Sequence, residues 1–185
     1  IGLVEVGVGL VPAWGGCKEM ITRWNNDPNQ PKGPMASIVK IFQNIGTAKV
    51  ATSAQEAKSL KFLNSGDDIT MNRSRLLYDA KQKCLGLVED YEAPLPNNHH
   101  LPGPSGKATL DLAVRDLEKA GHATPHDVTV TDSLAYILTG GDTDPTETVS
   151  DDKILEMEKE RIMALMKTEK TMDRIESMLT TGKPL

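Results

Sequence analysis

Ile1-Gly2-Leu3-Val4-Glu5-Val6-Gly7-Val8-Gly9-Leu10-Val11-Pro12-Ala13-Trp14-Gly15-Gly16 carries a single ionisable residue, Glu5, inside an apolar run. A carboxylate among valines and leucines is costly to bury unless it is hydrogen-bonded or paired. A carboxyl held there is biased toward its protonated form, which suits a group that hands over a proton. An edge-strand glutamate turned to water fits the same pattern, because Glu is seldom fully buried. Gly2, Gly7 and Gly9 allow bends or close approach of another backbone. Pro12 ends the extended segment, and Gly15-Gly16 lead into a helix beginning near Cys17.

Working outward, the spacing Gly-Leu-x-Glu-x-x-x-Gly-Leu-x-Pro, followed by small residues and Gly-Gly, resembles the crotonase family, the enoyl-CoA hydratases and isomerases. The resemblance extends to long bacterial 3-hydroxyacyl-CoA dehydrogenases that carry a crotonase-like region after their dehydrogenase part. It rests on Leu101-Pro102-Gly103 through Gly106-Lys107-Ala108, Ala123-Thr124-Pro125-His126-Asp127 and Leu138-Thr139-Gly140-Gly141-Asp142. The closing residues Arg174-Ile175-Glu176 through Thr181-Gly182-Lys183-Pro184-Leu185 extend it to the end of the chain. The resemblance implies an α/β fold, the C-terminal portion of a crotonase-like domain, mostly α-helical here with a few short strands. It makes Glu5 a catalytic carboxylate and Pro12, Ala13, Trp14, Gly15 and Gly16 the turn beside the acyl-CoA site. The family has a small residue at the position of Trp14, so the indole is expected to narrow the acyl channel or disturb the turn.

Composition excludes several alternatives. The 185 residues suffice for one domain with a sizeable core, and 38% hydrophobic with 25% charged residues is ordinary for a soluble protein. Aromatics make up only 4%, so the core must come from Leu, Ile, Val, Met and Ala. A net charge of -5 offers no basic face for nucleic acid. No apolar run reaches membrane-span length, and the opening run lacks a basic flank. Cys17 and Cys84 make no disulfide framework, so a cytoplasmic setting is expected. The chain has no initiator Met and opens mid-pattern, as a piece of a longer polypeptide does. In the resemblance, the oxyanion-hole glycines and the second catalytic glutamate precede it, so these residues alone are expected to be inactive.

Three regions are expected: 1–91 as the end of the crotonase-like core, 92–104 as a Pro-rich linker, and 105–185 as a helical region. In the first, helices are expected over Cys17 to Asn25, Pro34 to Asn44 with Gly46 as its stop, Ala54 to Lys61, and Arg73 to Tyr91. Ser53 and Glu56 have the spacing of a capping box. Lys61 stands where the family has glycine, which makes its left-handed turn more expensive. Strands are expected in the first dozen residues, near Lys49 to Ala51, and over Ile69 to Met71. Leu76, Leu77, Ala80, Cys84, Leu87 and Val88 form the stripe by which the longest of these helices should be buried.

His99 and His100 lie in the linker without the further ligands a metal site needs, and are expected in solvent. Beyond them Ser105, Thr124, Ser150 and Thr168 each begin a helix, and no period-2 pattern supports a sheet there. Leu110, Ala113, Val114 and Leu117 should face inward in the first of those helices, and Met172, Ile175 and Leu179 in the last. The methionines at 157, 163, 166, 172 and 178 are expected to fill core gaps.

The function implied by the resemblance is an enoyl-CoA hydratase module of a bifunctional β-oxidation enzyme, with Glu5 as general acid/base. Its partners would be an acyl-CoA thioester and the dehydrogenase portion of the same polypeptide, which would bind NAD; these residues themselves call for no cofactor or metal. An isomerase of the same fold needs only one carboxylate to move a proton between carbons. A non-catalytic helical module, packing on the dehydrogenase portion or on sister subunits as a homo-oligomer, is a different class.

Overall fold

The computed structural model describes residues 1–183 and 185; Pro184, within the closing motif, lies outside the described residues. The chain is mostly helical, with one small two-stranded sheet. Helices α1 (Gly16–Asn25), α2 (Pro34–Gly46), α3 (Ala54–Ser59) and α4 (Leu76–Gly86) precede strand β1 (Asn98–His100). Then come α5 (Gly103–Lys119), α6 (Pro125–Thr139), strand β2 (Thr148–Ser150), α7 (Asp151–Leu165) and α8 (Glu169–Thr181).

Helix α6 is the centre. It packs against α1, α2, α5, α7 and the segment around Glu5. Burial on nearly every side requires its polar residues to be satisfied locally. Thr131 and Thr139 do this by donating to the carbonyls of Asp127 and Ala135, at 2.6 and 2.8 Å. Its start carries the expected capping box between Thr124 and Asp127, and Gly140 and Gly141, both at positive φ, end it. Around it lie Val11, Met20, Ile21, Ile38, Ile41, Ile45, Ile154, Met157 and Leu165, one core drawn from both sides of the Pro-rich stretch.

Several expectations need correction. The first dozen residues form no strand: Gly2 makes one isolated antiparallel bridge to Val50, and Glu5–Val8 is a 3-10 helix. Glycine-interrupted valines alternate too briefly to hold a ladder. Ile69–Met71 is irregular, and Arg73–Tyr91 is a 3-10 turn (Arg73–Arg75) followed by the shorter α4. The α4 stripe is not buried; Leu77 is 83% exposed, and Cys84 is exposed with it. A sheet does enter the 105–185 region, because β1 pairs antiparallel with β2, His99 opposite Val149. Two three-residue strands are too short to show a period.

Other corrections concern which faces are covered. Helix α5 begins at Gly103, and Ala113 and Leu117 face solvent while Gly106, Leu110 and Val114 are buried. Of the five clustered methionines only Met157 is buried in the core. Helix α8 buries Thr171 and Arg174 and leaves Met172 and Leu179 exposed. Glu56 caps α3 differently from the expected box: Ser53 accepts the Glu56 N–H, but the Glu56 carboxylate takes the N–H and hydroxyl of Thr52, both at 2.7 Å. Lys61 does adopt the left-handed turn, at φ 61, with its ammonium on Asp27 at 2.7 Å.

Candidate active site

Glu5 opens the 3-10 helix, half-buried, and its Oε2 is sealed from solvent without a hydrogen-bond partner. An unpartnered buried carboxylate oxygen is a cost the fold must offset elsewhere. The segment that carries it is held at two points by the last two helices.

The first hold is on Gly9. Its carbonyl accepts the Thr171 hydroxyl of α8 at 2.8 Å. With that hydrogen committed, His126 Nε2, 2.9 Å from Thr171 Oγ1, is the donor to the hydroxyl. A Cβ at residue 9 would lie 2.9 Å from Thr171 Oγ1 and 3.0 Å from His126 Nε2, and φ there is +82°, so only glycine fits. Burial, then the Arg174 charge, lowers the His126 pKa from its usual 6.5. Arg174 itself reaches Asp127 at 2.8 Å and Thr124 at 3.1 Å, joining the start of α6 to α8.

The second hold is on the glycine turn. Pro12 is buried, Ala13 half-buried, and Trp14 fully exposed (101%) at φ 63. Gly15 is the N-cap of α1 at φ 92 and offers no side chain to the helix end. That role falls to Glu158 of α7, which is 0% exposed. Its Oε2 accepts the Gly15 N–H at 2.6 Å and its Oε1 the Lys18 N–H at 2.8 Å. A carboxylate at a helix N-terminus satisfies orphan donors and faces the favourable end of the dipole. Burial nevertheless wins over these bonds and raises the Glu158 pKa above 4.5.

Cys17 is buried and feels both carboxylates. Its thiol donates to the Pro12 carbonyl at 3.6 Å, and burial, Glu158 and Glu5, in that order, push its pKa well above 9.0. A thiol so held is no nucleophile. The fold thus packs Gly16 against Pro12 and Leu3, brings the Glu5 charge to bear on Cys17, and leaves the Trp14 indole in solvent.

Two surface clefts, of about 340 and 500 Å³, lie elsewhere, and neither is lined by Glu5 or by Pro12–Gly16. Among the described residues, no group of three His, Cys, Asp or Glu side chains forms a metal site. No helix among them is long and apolar enough to cross a membrane.

Glu158, Thr171 and His99 are the residues that sequence reasoning missed. Glu158 had a readable signal, since it falls four residues after Ile154 and seven before Leu165, on the apolar face of α7. His99 had none: it is buried against Asp151 Oδ1 at 2.9 Å, far from the solvent exposure expected of it. Neither Thr171 nor Arg174 stands out from the polar face of α8.

Comparison with known proteins gives two relatives. The chain is 37% identical over 186 residues to a Bacillus subtilis protein named a probable 3-hydroxyacyl-CoA dehydrogenase. It is 26% identical over 179 residues to a Rickettsia felis protein provisionally named a fatty acid oxidation complex trifunctional enzyme. The matches cover 100% and 96% of this chain but 23% and 21% of those proteins, so the chain spans about a quarter or less of their length. No family model and no solved structure matches.

Proposed function

We propose that this chain is the C-terminal part of a crotonase-like domain in a longer fatty-acid β-oxidation polypeptide, and that it contributes Glu5 to an enoyl-CoA hydratase site. The observation that carries the proposal is the sealed, unpartnered Oε2 of Glu5, in a segment that Thr171 and Glu158 clamp at Gly9 and Gly15. The names of the two relatives, both from fatty-acid oxidation, support the setting. Hydration joins water oxygen to C3 of the 2-enoyl thioester and a proton to C2, through an enolate-like state. Glu5 acts in it as general acid/base, moving the proton between water and the acyl chain. Donors for the thioester oxygen and a second carboxylate come, in the resemblance, from residues outside this chain.

The test is Glu5→Gln in the full-length polypeptide, assayed for crotonyl-CoA hydration. Turnover should fall roughly 10²–10⁴-fold with a much smaller change in KM, because the lost interaction belongs to the transition state. A folded variant with unchanged turnover overturns the assignment. Turnover of a 3-enoyl-CoA but not crotonyl-CoA moves it to the isomerase. A second reading, a helical assembly module, is favoured by the uncovered apolar stripe of α4. It predicts no hydration by the full-length protein at all.

A further inference from the structure

Between Phe62 and His99, both buried, the chain leaves the core. Among the described residues none from 63 to 98 is buried, and the stretch rejoins the fold where Asn97 and His99 meet Asp151. Helix α4 lies in the middle of this excursion, and its main packing is on the 3-10 turn Arg73–Arg75.

The sides of α4 differ. Asp79 accepts from Thr70 at 3.2 Å and from Arg75 at 3.3 Å, and Lys83 pairs with Asp68 at 3.1 Å. Those bonds turn the polar side toward the segment 68–70. Leu76, Leu77, Ala80 and Cys84 fall together within a sector of about 100°, the width of a helix face that packs on a core. Leu87 and Val88 follow just past the end of the helix, and all six are exposed.

A bare face of this kind is at odds with the helix itself. Eleven residues are too few to hold a helix in water by their own hydrogen bonds. No side chain caps the start, and Gly86 is the last residue, so neither end makes up the deficit. The stability of α4 has to come from cover on its apolar face. In the two relatives the matched stretch is 23% and 21% of the length, so most of such a polypeptide lies outside these residues. A neighbour in the same polypeptide is tethered and meets the face at an effective concentration of about millimolar, which a separate molecule does not reach.

We propose that residues 63–98 form a docking arm, and that the apolar face of α4 seats in an apolar groove of the same polypeptide outside these 185 residues. Leu77, Ala80 and Cys84 are the anchors, with Leu76 and Leu87 along one edge and Val88 along the other. The inference rests on the reading that this chain belongs to a longer polypeptide, and not on the role given to Glu5.

Cys84 lies in the face and reports on its cover. The native full-length polypeptide is alkylated with iodoacetamide beside its Gln82→Cys variant, whose new thiol lies on the polar side of α4. Mass spectrometry follows each peptide, and each rate is taken relative to the same site in urea. Cys84 should label about 100-fold more slowly than position 82, because it reacts only when the arm lifts away. Equal relative rates at the two positions overturn the docking. A photo-crosslinking side chain in place of Lys81, at the edge of the face, should join α4 to a peptide from outside residues 1–185. An adduct between two copies of α4 puts a second molecule on the face and overturns the assignment. Neither measurement reads hydration, so the failure of the Glu5 assignment and the failure of this one are told apart.

Discussion

Residues 5–18 and residues 69–95 are both rich in apolar side chains, yet they meet opposite fates. The first segment is pinned by α7 and α8 through Glu158 and Thr171 and sends Val6, Val11 and Cys17 into the core. The second presents Met71, Leu77, Val88 and Leu95 to solvent, and the main packing of α4 is on the 3-10 turn preceding it. Apolar periodicity was present in both. What separates them is long-range polar anchoring, which reaches the first segment from more than 140 residues away and does not reach the second. Helix periodicity says which face wants cover, and only the rest of the fold says whether cover is there.

The largest test of this contrast is Glu158→Ala against Leu77→Ala. Removing the buried carboxylate strands the N–H groups of Gly15 and Lys18, each costing about 1–3 kcal/mol, so the loss should be about 2–6 kcal/mol. Leu77→Ala in the 185-residue chain should stay within about 0.5 kcal/mol, as an exposed site does. Denaturant midpoints measure both. A cost of about 2–5 kcal/mol for Leu77→Ala in the longer polypeptide alone would show that the remaining chain covers α4. A similar cost in the short chain would break the contrast.

The two clamp points should also respond to pH with opposite signs. His126 has a lowered folded pKa, so the unfolded chain binds more protons just below 6.5. Its contribution is present above 6.5 and is lost as pH falls through the lower folded value. Glu158 has a raised folded pKa, so the native state keeps a proton that the unfolded chain has released above 4.5. Stability from that group declines as pH rises from 4.5 through the folded value. Thermal midpoints of His126→Asn and Glu158→Gln across pH 4 to 8, relative to wild type, should therefore diverge in opposite directions. Parallel curves would mean that the two holds are not electrostatically distinct.

Much of the helical frame was legible because it is written in short-range chemistry. The Thr124-Pro125-x-Asp127 start of α6, the Ser150 and Thr168 caps, and the Gly140-Gly141 stop each act within four residues. Glu158 on Gly15 and Thr171 on Gly9 were not legible, since nothing in either local sequence names a partner so distant. The β1–β2 pair escaped likewise: its register is set by Asn97 and His99 meeting Asp151, not by any alternation along the strands.

The smallest expected effect is at Lys61, a residue with a full side chain held in a left-handed turn. At φ 61 a non-glycine residue carries strain of about 1 kcal/mol. Lys61→Gly removes that strain but also loosens the unfolded chain and breaks the contact with Asp27. Asp27, whose side chain is 8% exposed, keeps Asn29 and Gln30 as partners, so the lost ion pair should cost less than the strain it replaces. The strain relief should therefore prevail slightly, raising the thermal midpoint by a degree or so. Because Arg23 donates to the carbonyls of Lys61 and Phe62, at 3.2 and 2.7 Å, the turn itself should survive the change. A clear loss of stability would show that the Lys61–Asp27 pair, rather than the backbone, holds this corner to α1.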